Sequence, residues 1–131
     1  MQDQCITLDQ AKRLAELGVI EKSICVWYVP SMKEYQPYVQ FARPADNSNS
    51  NFFRAYTVAE LGVMLPTLGI KRYKSNNGRG SDYYWLEYQS QDWSDLNEAS
   101  LLAKVLIYLL EENMTTAEQV NSRLNPQIPV S

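Results

Sequence analysis

The chain contains no histidine, and that absence removes more chemistry than any other feature of its composition. Histidine exchanges protons near neutrality. Without it there are no Ser–His or Cys–His nucleophile pairs, no histidine general bases and no imidazole metal ligands. Carboxylates, lysine and tyrosine can also catalyse reactions, but none stands in a recognisable catalytic or metal-binding pattern here, so no cofactor is expected and a non-enzyme is the favoured reading. Cysteine is scarce as well, with only Cys5 and Cys25. No charged-then-apolar leader precedes them, so the expected setting is the cytoplasm, with both thiols reduced and buried. The longest strongly apolar run, 101–110, is broken by Lys104 and is too short to cross a bilayer. A large excess of either charge is also missing. A net charge of −3 is wrong for a protein that holds nucleic acid mainly through lysine– and arginine–phosphate contacts.

What is present suits one α+β domain over residues 1–131 with a core of its own. Residues 1–4 read as a loose end. Thr7 and Gln10 have capping-box spacing, and Leu8, Ala11, Leu14 and Ala15 recur at helical spacing. They predict a helix over 7–17 that Gly18 ends in a left-handed turn, folding Val19 back onto Leu14. The β-branched and aromatic run 24–29, stopped by Pro30, predicts a strand; 38–42, closed by Pro44, predicts its antiparallel partner, and 45–51 reads as a polar loop. Thr57 and Glu60 cap a second helix, with Tyr56 stapled onto Leu61, Gly62 as its weak point and Pro66 as its stop. The stretches 70–74 and 83–89 flank a glycine-rich turn and predict a second hairpin, followed by a connector over 91–96. Asn97 caps a third helix, 98–112, that is apolar around more than half its circumference, and Thr115 or Thr116 begins a last short one carrying Ala117, Val120 and Leu124 on one face. An extended tail follows over 126–131. The order α-β-β-α-β-β-α-α implies about four antiparallel strands in two hairpins, one face covered by three to four helices with the third central.

Three stretches together, 6–18 (ITLDQAKRLAELG), 55–66 (AYTVAELGVMLP) and 103–111 (AKVLIYLLE), resemble a group of short uncharacterised bacteriophage and prophage proteins. The middle stretch is the most specific of the three. The resemblance implies a phage-derived protein in a bacterial cytoplasm and supplies no catalytic residue. Each stretch also has a sufficient structural explanation in capping and burial.

Four constellations merit attention. Lys71, Arg72, Lys74 and Arg79 interleave with Tyr73, Tyr83, Tyr84 and Trp85, so cations can meet phosphates while rings stack on unpaired bases. The simpler reading is an ordinary ribbon with one face in the core and one in water. The glycine-rich turn 77–81 lacks the phosphate-loop pattern and opens no helix. Asp92, Asp95, Glu98, Glu111 and Glu112 are the carboxylates available for acid–base work, with Asp92 and Asp95 placed where they offset the third helix's dipole. Nine tyrosines and three tryptophans, among them Trp27, Tyr28, Tyr35, Tyr38 and Tyr88, are many for this length: an uncovered sheet face would display some of them as interface anchors, and core packing with ordinary strand preference accounts for them equally well. The leading expectation is a module that binds another protein. A single-stranded nucleic-acid binder using 70–89 is the alternative, an enzyme of unknown type comes third, and no membrane partner is expected. Homodimerisation through a bare sheet face or the third helix is compatible with all three.

Overall fold

Threonine followed three residues later by glutamine or glutamate starts three of the four helices in the computed structural model, which describes residues 5–32, 34–42, 52–65, 70–76 and 82–124. In α1 (Leu8–Glu16) the Thr7 hydroxyl accepts the Gln10 N–H at 3.2 Å, and Gln10 Oε1 accepts the Thr7 N–H at 3.1 Å. Thr57 and Glu60 do the same for α2 (Val58–Met64), as do Thr116 and Gln119 for α4 (Ala117–Leu124). Asn97 alone caps α3 (Glu98–Glu111), accepting the Ser100 N–H at 2.9 Å. Each cap satisfies backbone donors that the first turn of a helix leaves without intrahelical partners.

Helix ends are equally local. Gly18 has φ +94°, its N–H bonds to Ala15 O, and Val19 N–H reaches Leu14 O at 2.9 Å, which closes a Schellman turn with Val19 and Leu14 both in the core. Asn113, at φ 58°, ends α3 by the same scheme through Met114 N–H and Leu109 O.

The strands form two sheets rather than one. β1 (Cys25–Tyr28) lies between β2 (Tyr38–Phe41) and β3 (Phe52–Arg54), and β5 (Asp82–Tyr88) lies between β4 (Ile70–Asn76) and β6 (Gln91–Asp95). All four pairings are antiparallel. The expected four strands were thus β1, β2, β4 and β5, and each hairpin has gained a third strand. β3 is three residues long and pairs with β1 across the polar stretch, leaving little local periodicity to read. β6 holds two aspartates and a serine and is carried by its neighbour: a two-residue turn, Gln89 and Ser90 at φ 50° and 68°, folds it onto β5. That geometry usually asks for Asn-Gly, so neither strand nor turn announces itself.

α3 is the centre, with nine buried residues. α1 packs between it and β3, α2 lies against it and against α4, and β5 and β6 cover a further side. One apolar cluster gathers Leu14, Leu61, Leu86, Leu106 and Val120 from all four helices and the second sheet. The predicted features at residues 1–4, Pro44, 45–51, Pro66, 77–81 and 126–131 lie outside the described residues.

Two glycines test this account in opposite directions. At Gly18 a Cβ would stand 3.1 Å from Ala117 Cβ in a left-handed conformation, so Gly18→Ala is expected to destabilise the fold by at least about 1 kcal/mol. At Gly62 a Cβ would meet only Arg72 Nη1 at an ordinary 3.5 Å, so Gly62→Ala should stabilise by up to about 1 kcal/mol by removing an unfavourable helix residue. Urea denaturation midpoints of the two variants measure both shifts.

Candidate functional site

Side chains alternate along a strand, and the β4–β5–β6 register therefore sorts the basic, aromatic hairpin into two sets. Arg72, Lys74, Tyr84, Leu86, Trp93 and Asp95 lie on the face toward α3. Lys71, Tyr73, Tyr83, Trp85, Glu87 and Asp92 lie on the opposite, outer face. The predicted cluster is thus divided: Lys71, Tyr73, Tyr83 and Trp85 share one face, Arg72 and Lys74 share the other, and Arg79 lies outside the described residues.

On the inner side the cations are engaged with the protein itself. Arg72 Nη2 bridges Glu98 Oε1 at 2.6 Å, at the start of α3, and its other terminal nitrogen lies over Gly62. Lys74 Nζ is 5.8 Å from the Tyr84 ring centre. Lys104 Nζ meets Asp95 Oδ2 at 2.8 Å, while Asp95 Oδ1 accepts the Asn97 N–H at 2.9 Å. Burial pushes the Asp95 carboxyl up, but hydrogen bonds from Lys104, the Asn97 backbone and Ser100 outweigh it and leave its pKa below the ordinary value. Trp93 packs on Tyr108 of α3, and Gln91 donates to the Tyr108 hydroxyl at 2.8 Å.

The outer face is different. Tyr73 and Trp85 are directly opposed across the ladder and stack with ring centres 4.1 Å apart and planes at 19°. Neither they nor Tyr83 belong to the hydrophobic core, and Tyr73 is 40% exposed. A hollow of about 240 Å³ opens between Tyr83, Trp85, Asp92 and Ser94, and is also bordered by Trp93, whose register position is on the inner face. Beside the rings runs a charged row in which Lys71 opposes Glu87 and Glu87 opposes Asp92. One lysine against two carboxylates makes this face mildly acidic. No described helix packs upon it.

The other candidate groups separate. Asp92 is on the outer face and Asp95 on the inner one, Glu98 is held by Arg72, Glu111 approaches Arg13 at 3.6 Å, and Glu112 caps the end of α3. Among the described residues no three histidine, cysteine, aspartate or glutamate side chains gather as a metal site. Cys5 and Cys25 are buried, share a thiol hydrogen bond and are not in a disulfide. Burial first, then Cys25, pushes the Cys5 thiol up to about 12, and burial raises Cys25 too, so neither is a ready nucleophile. Trp27 points inward and donates to Ile6 O at 2.8 Å, whereas Tyr84 and Tyr88 pack partly on the core.

A second aromatic surface was only half visible in the sequence. Tyr28 meets Tyr38 edge-on at 5.4 Å and Phe52 at 5.0 Å, on the face of the first sheet opposite Trp27. Tyr28 and Tyr38, with Pro30, Met32 and Tyr35, border a hollow of about 460 Å³. Phe52 carries no strand signal in the sequence because β3, three residues long, is too short to show alternation. Met32 carries none either, because isolated apolar residues in a turn have no periodicity.

Asp95 gives a pH test with a definite sign. Its lowered native pKa contributes stability above the unfolded value of about 3.9, and that contribution disappears as pH falls through the native pKa. Asp95→Asn should therefore be less stable than wild type at pH 7, with the gap in denaturation midpoint narrowing by pH 3. No protein-family model matches the chain, and neither the curated proteins nor the solved structures compared with it give a match.

Proposed function

We propose that the chain is a non-enzymatic protein-binding module, a phage-derived accessory protein of the bacterial cytoplasm, and that it engages its partner through the outer face of the β4–β5–β6 sheet. The observation that carries this reading is the Tyr73–Trp85 stack, with Tyr83 beside it, on a sheet face that no described helix covers. Large rings with few torsions lose little entropy on being fixed, so they anchor interfaces well. The hollow beside Trp85 offers a place for a partner side chain.

The nucleic-acid alternative needs rings and cations on one surface. Here Arg72 and Lys74 are on the far side of the sheet from the rings, and Lys71 is answered by Glu87. The carboxylates that an enzyme would use are spread over both faces and both ends of α3.

Affinity capture from bacterial lysate, read for both protein and nucleic acid, tests the proposal. Wild type should enrich a protein, and Glu118→Ala on α4 should retain it. Tyr73→Ala and Trp85→Ala should each weaken binding of that protein by about 2 kcal/mol, the loss typical of a central aromatic anchor. Capture of nucleic acid that Lys71→Ala/Arg72→Ala/Lys74→Ala abolishes, with no enriched protein, would transfer the function to the alternative.

A further inference from the structure

Among the described residues β4 is an edge strand of its sheet. It runs for seven residues, pairs on one side with β5, and has no described strand on the other. No backbone hydrogen bond outside the ladders reaches it among the described residues. Residues 71–74 are all exposed. Such an edge offers a row of N–H and C=O groups to any extended chain that comes alongside.

The side chains along this edge say which chain would fit. Arg72 and Lys74 stand two residues apart on the inner side, and Tyr73 stands between them on the outer side. A strand laid on β4 would place alternate residues opposite these. Acidic residues at positions i and i+2 would face Arg72 and Lys74, and an apolar residue at i+1 would face Tyr73 beside the aromatic stack. Both cations already have contacts within the protein, Arg72 with Glu98 and Lys74 with the Tyr84 ring among others, but both stay exposed, and the five donors of a guanidinium and three of an ammonium let each meet a second carboxylate as well.

The same charges argue against other occupants. A second copy adding β4 to β4 would set cations against cations. A second copy adding β6 brings only Asp95 on the matching side, already held by Lys104 and Asn97. Nucleic acid would leave the edge N–H groups and carbonyls without strand partners.

We infer that β4 takes an extended acidic peptide segment by strand addition, with acidic, apolar and acidic residues in succession. This rests on the protein-binding reading above and names the chemistry of its partner. Recognition is by main-chain pairing along the edge, with the alternate side chains choosing the sequence.

The probe is a labelled nine-residue peptide alternating Glu and Val, titrated against the full chain by fluorescence anisotropy, with backbone amide shifts read by NMR. Binding should perturb the amides of 70–76 and weaken with salt. Lys74→Glu should lower affinity by about tenfold or more, because like charges then face each other. The same peptide N-methylated at alternate residues, in each of the two phases, should lose binding in one phase and keep it in the other. A peptide alternating Lys and Val should fail to bind wild type. Equal binding by both N-methylated forms, displacement by oligo-dT, amide shifts confined to β5 and β6, concentration-dependent self-association through β4, or no binding would each overturn the inference. Capture that depends on Trp85 would survive all of these results, so failure at the edge and failure of the aromatic face are distinguishable.

Discussion

The burial of α3 is the constraint on which the rest of the structure depends. A helix with Leu101, Leu102, Val105, Leu106 and Leu109 around its circumference cannot be satisfied by one neighbour. Each such side chain is worth about 1.5–3 kcal/mol once withdrawn from water, so cover on every side outweighs any tidier arrangement of the strands. α1, α2 and the inner face of the second sheet all serve this purpose. The helices are then used up in the middle. Each sheet has one face directed inward and another with no described helix to cover it, and the surplus rings of the composition sit there.

Polar side chains at the helix starts do double duty in holding this assembly. Gln10 closes the α1 cap with its oxygen and donates with its nitrogen to Ser100 of α3, at 3.0 Å to the hydroxyl and 3.1 Å to the carbonyl. Glu60 closes the α2 cap, accepts the Ser23 hydroxyl at 2.7 Å and accepts the Ile24 N–H at 3.2 Å, which joins α2 to the start of β1. Tyr56, at the staple position before α2, also donates to Glu21 O at 2.6 Å. Local signals for where a helix begins are thus also long-range ties, and they orient α1 and α2 as well as start them.

This explains what could be read in advance. The caps, the glycine turn after α1 and the apolar girth of α3 are each written in a few neighbouring residues, and all appear where the sequence places them. β3 and β6 are defined by partners instead: Phe52–Arg54 by β1, and Gln91–Asp95 by a left-handed Gln89–Ser90 turn. The grouping of the hairpin's cations and rings depended on the same missing information. Strand alternation separates residue 72 from residue 73 in any register, but both phases of β4 carry a lysine or arginine. Only Leu86 in the core and Glu98 beside Arg72 decide which phase faces inward.

The clasp between the first and last described helices has a consequence for how the protein is made. Asn121 of α4 accepts the Ile20 N–H and donates to Gly18 O, pairs separated by 101 and 103 residues, and Ala117 closes on the bare α-carbon of Gly18. At about 5–20 residues per second, a ribosome delivers α4 several seconds after α1. Throughout that interval the turn that follows α1 lacks its partners, and the apolar face of α1 has no finished core to enter. The turn after α1 is therefore clasped only once α4 has been made, so this tie belongs to the last steps of the chain's assembly.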